Sequence, residues 1–365
     1  MKKNIYITTF QNAYNYGAVL QCYALQETIK KYEKNVQVIN YDNNEISDFY
    51  KVFFRPRTNN LFKKYFKSTL SALYYYKRLK NRNKSFESFI SENINLTKLM
   101  KYEEIINMKL SKNDLLITGS DQVWNTNLTN GFDDIYFLNF SEVQKMSYAA
   151  SIGRNKINSK DIEKIKDTLN KYKYISVREE TGKKLLNEII DKNIDVVLDP
   201  TLLLNKEDWE KHLSNKRIIS KDYIFVYMPN PECIKIAKNI AKKENLKIVN
   251  ISKKTLFGTR EINKFDANPF DFIELLRDAK YIVTSSFHAT VFSILFEKKF
   301  FVVPPQGVSS RITDLLNKIG LIDRCLNDYN DFKLKKYLED INYENVEKIL
   351  YLEREKSLNA LKDNL

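Results

Sequence analysis

Only two histidines occur in the 365 residues, so imidazole chemistry has two candidates, His212 and His288. His212 stands in WEKHLSNK, a charged helical end, and reads as a surface residue. His288 stands in TSSFHATVFSILF, where a hydrophobic strand pattern passes through Ser285 and Ser286 into an apolar helix. Histidine is the side chain best suited to giving and taking protons near neutral pH. Four more loops of small and polar residues follow hydrophobic strand patterns. One holds Asn12, Asn15 and Tyr16; one spans 119–125 and holds Asp121, Trp124 and Asn125; one spans 149–153; one holds Arg178. Loops of this kind let the backbone and short side chains approach a ligand. Each residue also has a plainer structural reading. Asn15 and Tyr16 shape a helix start, Asp121 and Asn125 turn or cap, Trp124 fills core, Arg178 pairs with Glu179 and Glu180, and His288 is a hydrogen-bonded core residue. Asp199, before Pro200, reads as a turn at a domain junction rather than a catalyst.

The elements that position these residues alternate strand and helix, the pattern of parallel sheets with helices on both faces. Strands are expected at 4–10, 36–41, 114–118, 145–151, 174–177 and 195–198, with helices at 18–32, 160–171 and 179–191. A second series places strands at 223–228, 247–251, 281–284 and 300–303, with helices at 231–244, 270–278, 289–296, 309–318 and 343–362. The polar stretch 205–222 is the best boundary. The expectation is α/β, two Rossmann-like domains facing a cleft. Residues 1–205 form the acceptor side, with a helical insert at 49–108. Residues 206–365 form the donor side, and the last helix packs back on the first domain. Ligands in such folds sit outside the carboxyl ends of the strands.

Composition removes several classes. The eight glycines include no GxGxxG and no GxxxxGK[ST], which argues against a simple dehydrogenase or NTPase. Three scattered cysteines form no CxxC pair, and two histidines cannot build a multi-histidine metal site. No run approaches the about 18 apolar residues a membrane span needs, so the expected location is the cytoplasm. Most of the net charge of +14 lies in 49–86, which has no acidic residue and eleven Lys/Arg. Aromatics such as Phe53, Phe54, Tyr65 and Phe66 interleave with them. That mixture suits an anionic surface at the inner face of the cell membrane or a lipid diphosphate head group; the alternative is a pair of surface helices. No nucleic-acid module motif is present.

The strings NAYNYGAVLQ, ITGSDQVWN, SYAASIG, SVREETG, VLDPTLLL and TSSFHATVFSILF, in that order, resemble the motif series of the polysaccharide pyruvyl transferase family. The resemblance runs from about residue 5 to 320 and implies a GT-B-like fold. It also implies transfer of pyruvate from phosphoenolpyruvate to a sugar as a ketal, with no cofactor beyond that donor substrate. By resemblance His288 is catalytic, in acid/base work or at the phosphate, Arg178 is donor-binding, and Ser285 and Ser286 lie in the donor site. Where better-studied members carry Arg-Leu-His this chain has Ser286-Phe287-His288, so one guanidinium is missing, and Arg311 is the candidate to replace it. Asn15, Tyr16, Asp121, Trp124 and Asn125 are the acceptor-side candidates, for a glycan that a polyprenyl diphosphate could carry. A nucleotide-sugar glycosyltransferase and a non-catalytic scaffold of polysaccharide assembly are the competing readings.

Overall fold

A computed structural model describes residues 3–43, 45–46, 69–252, 256–305, 310–332 and 339–365. Lys51, Arg55, Arg57, Lys63, Lys64 and Lys67, with Phe53, Phe54, Tyr65 and Phe66, lie outside the described residues, and so does most of the anionic-surface expectation. Among the described residues no helix is long and apolar enough to cross a membrane.

Six strands come from the first half: β1 (Ile5–Thr8), β2 (Val36–Val38), β3 (Leu115–Thr118), β4 (Gln144–Ser147), β5 (Ser176–Val177) and β6 (Asp195–Val196). The first four form a parallel sheet in the order β2-β1-β3-β4. The β5–β6 pair continues it through parallel bridges from Met146 to Tyr174 and from Ala150 to Val177. The second half supplies β7 (Tyr223–Tyr227), β8 (Lys247–Asn250), β9 (Glu261–Asn263), β10 (Tyr281–Thr284) and β11 (Lys299–Val302), all parallel, in the order β11-β10-β7-β8-β9. Strands such as LLIT and YIVT are buried on both faces, which is why they read as unbroken hydrophobic runs. The strand order reverses between β1 and β3 in one sheet and between β7 and β10 in the other. Those reversals open crevices at the strands' carboxyl ends.

The two halves share one core rather than meeting at a polar seam. The Tyr16–Lys30 helix leaves β1 and is buried nearly all round, Gln21, Gln26 and Thr28 included. It lies between its own sheet and the Pro269–Arg277 and Phe287–Leu295 helices of the second half. Gln21 is satisfied there: its Nε2 donates to Thr9 Oγ1, and Ser120 N donates to its Oε1. The last helix, Tyr343–Lys362, lies on the first half, where Arg354 Nε donates to the Leu202 carbonyl and Leu198 N to Ser357 Oγ.

Several boundaries differ from expectation. The strand expected at 145–151 ends at Ser147, because Ala149 takes a left-handed backbone (φ 49°) and turns the chain away from the sheet. The stretch 205–222 is not only a linker: it contains the Lys206–Glu210 helix, whose Trp209 is fully buried against Phe292. Strand β9 was not anticipated, since its sequence EIN is short and polar at a sheet edge. The helix expected at 289–296 begins at Phe287, which places His288 inside its first turn.

Candidate functional site

Loops from both strand-order reversals open on one cleft of about 680 Å³. Asn15 follows β1, Asp121 and Gln122 follow β3, Met228 follows β7, and Ser285, Ser286 and His288 follow β10; Arg311 enters from the Ser310–Lys318 helix. Two helix N-termini converge here. Asn15 caps the Tyr16–Lys30 helix, its Oδ1 accepting from Gly17 N (2.9 Å) and Ala18 N (3.4 Å). Ser286 caps the Phe287–Leu295 helix, its Oγ accepting from Ala289 N. Helix N-termini carry partial positive charge, which favours an anion. The ends touch through Gly17 and His288: a Cβ on Gly17 would lie 2.0 Å from His288 Nδ1. Only glycine lets the imidazole rest on that first turn.

Behind the imidazole lies a buried charge network. Arg178 Nη1 donates to Asp199 Oδ2 at 2.6 Å, and Ser120 Oγ to the same oxygen at 3.3 Å. His288 Nε2 is 3.6 Å from it. The other carboxylate oxygen accepts from Thr201 N and Oγ1, so Asp199 is held at both ends. Burial works against the Asp199 charge, but His288 and Arg178 outweigh burial and hold its carboxyl well below the ordinary range. Burial likewise opposes the Arg178 charge, and Asp199, Glu179 and Asp121 more than offset it. Arg178 Nε and Nη2, Glu179 Oε2 and His288 Nε2 have no hydrogen-bond partner among the described residues, although all are buried. Arg178 Nε stands 3.8 Å from Glu179 Oε2, and Nη2 stands 3.9 Å from Asp121 Oδ1.

The Phe287 ring faces two guanidiniums, that of Arg178 at 4.9 Å and that of Arg311 at 5.9 Å. Arg311 is half-buried and has no carboxylate partner among the described residues. Burial, and after it the Arg178 charge, push its proton affinity down. The charge of an anion entering the cleft would oppose both effects. Phe287 and Arg311 also line a second cavity of about 230 Å³, into which Arg178 and Asp199 face.

Asn15, Asp121, Ser285, Ser286, His288 and Arg311 therefore meet at one cleft, with Arg178 directly behind. Three acceptor-side candidates do not join them. Tyr16 is fully buried at the junction of the halves, its ring stacked on Phe272 at 4.6 Å and its hydroxyl donating to the Ala267 carbonyl. Trp124 is buried against Phe137 and Tyr172, so neither ring face is open to a sugar. Asn125 is turned inward, donating to Gln122 Oε1. His212 is exposed, as expected, and hydrogen-bonded to Tyr23. Sequence reasoning missed the hub, Asp199. It does form the expected turn, yet it also joins Arg178 to His288. It lies just past the carboxyl end of β6, so the placement rule that selected the other residues would have selected it too.

Two doubly wound parallel sheets facing across a cleft define a GT-B-like protein. Two solved structures share this architecture. A UDP-N-acetylglucosamine 2-epimerase superposes with a TM-score of 0.56 at 13% identity, over 100% of this chain and 95% of its own. S. aureus MnaA, in a UDP co-structure, gives 0.53 at 13% identity, over 99% and 96%. No curated protein matches the sequence. The model of the polysaccharide pyruvyl transferase family matches residues 15–307, and the chain belongs to that family. The matched span starts at the Asn15 cap and includes Arg178, Asp199 and His288; Arg311 lies four residues beyond it.

Proposed function

We propose that the protein transfers the pyruvyl group of phosphoenolpyruvate to two hydroxyls of a sugar in a surface-polysaccharide precursor, closing a pyruvate ketal. The observation that carries this reading is the gathering of His288, Arg178 and Arg311 with two helix N-termini at one cleft. Phosphoenolpyruvate has matching parts: a phosphate, a carboxylate, and an enol CH2 that takes a proton. A planar guanidinium binds either anionic group bidentately. Arg311 supplies the cation that Ser286 does not.

In the reaction a proton adds to the CH2 carbon and leaves positive charge on C2. One sugar hydroxyl attacks C2 and releases its proton. The bond from C2 to the phosphate oxygen breaks, and phosphate leaves with the electron pair. The second hydroxyl closes the ring and releases its own proton. One released proton balances that on the new methyl group; the other leaves with the phosphate. His288 moves the proton at the reacting carbon, and Asp199 orients its ring from the Nε2 side. Asn15, Asp121 and Gln122 face the acceptor.

Phosphate release from phosphoenolpyruvate, measured across a panel of glycan acceptors, tests the reading. Turnover with at least one neutral hexose acceptor is expected. A thermal shift with UDP and none with phosphoenolpyruvate would overturn it in favour of a nucleotide-sugar transferase.

A further inference from the structure

Arg82 belongs to the basic stretch but meets no carboxylate among the described residues. Its guanidinium is spent on the junction of the two halves. Nη1 donates to Tyr16 Oη at 2.7 Å and to the Phe265 carbonyl at 3.2 Å; Nη2 donates to the Tyr14 carbonyl at 3.0 Å. The same group lies over three rings, at 4.8 Å from Tyr16, 4.6 Å from Phe86 and 5.1 Å from Phe265. Tyr16 passes the connection on, donating to the Ala267 carbonyl at 2.7 Å. One side chain thus ties both neighbours of Asn15 to residues 265–267 of the opposite half.

Asn15 is the cap whose helix carries Gly17, and Gly17 is the surface on which the His288 ring rests. The cap is in the first half and the imidazole in the second, so their separation depends on how the halves are held. The contact allows little error, because not even a methyl group fits between Gly17 and Nδ1. We propose that Arg82 is a positioning residue: by fixing the Tyr14–Tyr16 turn to the 265–267 segment, it sets the Gly17–His288 contact and with it the imidazole's place in the cleft. The catalytic consequence rests on the function proposed above; the geometric one does not. Lysine keeps the charge and the ring contacts, but its single ammonium cannot reproduce a fork with three acceptors on two sides.

Arg82→Met and Arg82→Lys test this with two readouts. The first is carbethoxylation of His288 by diethyl pyrocarbonate, located by mass spectrometry, with the exposed His212 as internal reference. His288, 8% exposed in the native fold, should react several-fold faster relative to His212 in Arg82→Met, with Arg82→Lys intermediate. The second is turnover: kcat for phosphate release should fall about 10- to 100-fold in Arg82→Met, as for an ångström-scale misplacement, with KM for phosphoenolpyruvate little changed. Unchanged His288 reactivity in folded Arg82→Met overturns the positioning role, whatever the turnover. Raised reactivity in a protein whose parent never releases phosphate upholds the positioning role and overturns the proposed function instead.

Discussion

The junction of the two halves and the cleft beside it are built from neighbouring residues of the same loops, yet they treat polar groups in opposite ways. At the junction the Tyr16 hydroxyl both accepts from Arg82 and donates to Ala267, and its ring stacks on Phe272. In the cleft, buried nitrogens of Arg178 and His288 have no hydrogen-bond partner among the described residues, and the half-buried Arg311 faces a second cation. Leaving a buried polar atom unpaired costs about 1–3 kcal/mol. The cleft carries several such costs, whereas the Tyr16–Arg82 contacts at the junction pair their groups. On the proposed function, the junction holds the fold together and the cleft is arranged for a ligand.

The sharpest way to break the contrast is His288→Ala. Turnover should fall by about 10²–10⁴-fold, the usual contribution of a general acid or base, in a variant that remains folded. Unchanged turnover in the folded variant would remove His288 from the chemistry. Asp199→Asn comes next and marks where the contrast is imperfect, because this cleft residue also serves stability. Losing its charge leaves Arg178 buried without its closest counter-ion, at a cost of about 3–5 kcal/mol in denaturant titration at pH 7. Acid should show the same dependence. The Asp199 carboxyl sits far below an ordinary aspartate's value of about 3.9, so its contribution is complete above that pH. The contribution is lost as pH falls from there through the depressed native value, and the acid limb of stability should be shallower in Asp199→Asn than in the parent.

Gly17→Ala probes the boundary between the two regions. The added methyl would overlap His288 Nδ1, so either the helix start or the imidazole must shift. A fall in kcat on the order of 10²-fold is expected from such a displacement. Wild-type turnover would show that the apposition of the two helix starts does not matter.

The alternation of hydrophobic runs and amphipathic stretches makes the two parallel sheets legible in the sequence, and the strand-end rule points to Asn15, Asp121, Ser285, Ser286 and His288, which line one cleft. Tyr16 and Trp124 were misjudged because an aromatic beside a polar loop looks the same whether it faces solvent or core. Its neighbours Phe272 and Phe137 lie 256 and 13 residues away. Arg82 was hidden for a similar reason. Counted among eleven basic residues it signals a charged surface, whereas its acceptors at 14 and 16 are distant in sequence and the one at 265 lies in the opposite half. Asp199 was missed because forming a turn and holding a charge network are separate jobs that one side chain can do together.

Tyr16→Phe gives the smallest effect and the finest test of the junction. The ring and its stack on Phe272 remain; only the hydroxyl goes. The Ala267 carbonyl then loses its donor, and Arg82 Nη1 keeps the Phe265 carbonyl alone. Burial has pushed that hydroxyl's pKa up to about 12 against the pull of Arg82, so it is neutral at working pH and no charge is removed. The expected cost is about 1–3 kcal/mol, read as a lower denaturant midpoint at constant slope. Turnover per folded molecule should fall less than in Arg82→Met, because the Tyr14 and Phe265 ties persist. A larger kinetic loss in Tyr16→Phe than in Arg82→Met would mean that the hydroxyl, and not the guanidinium, holds the cleft in register.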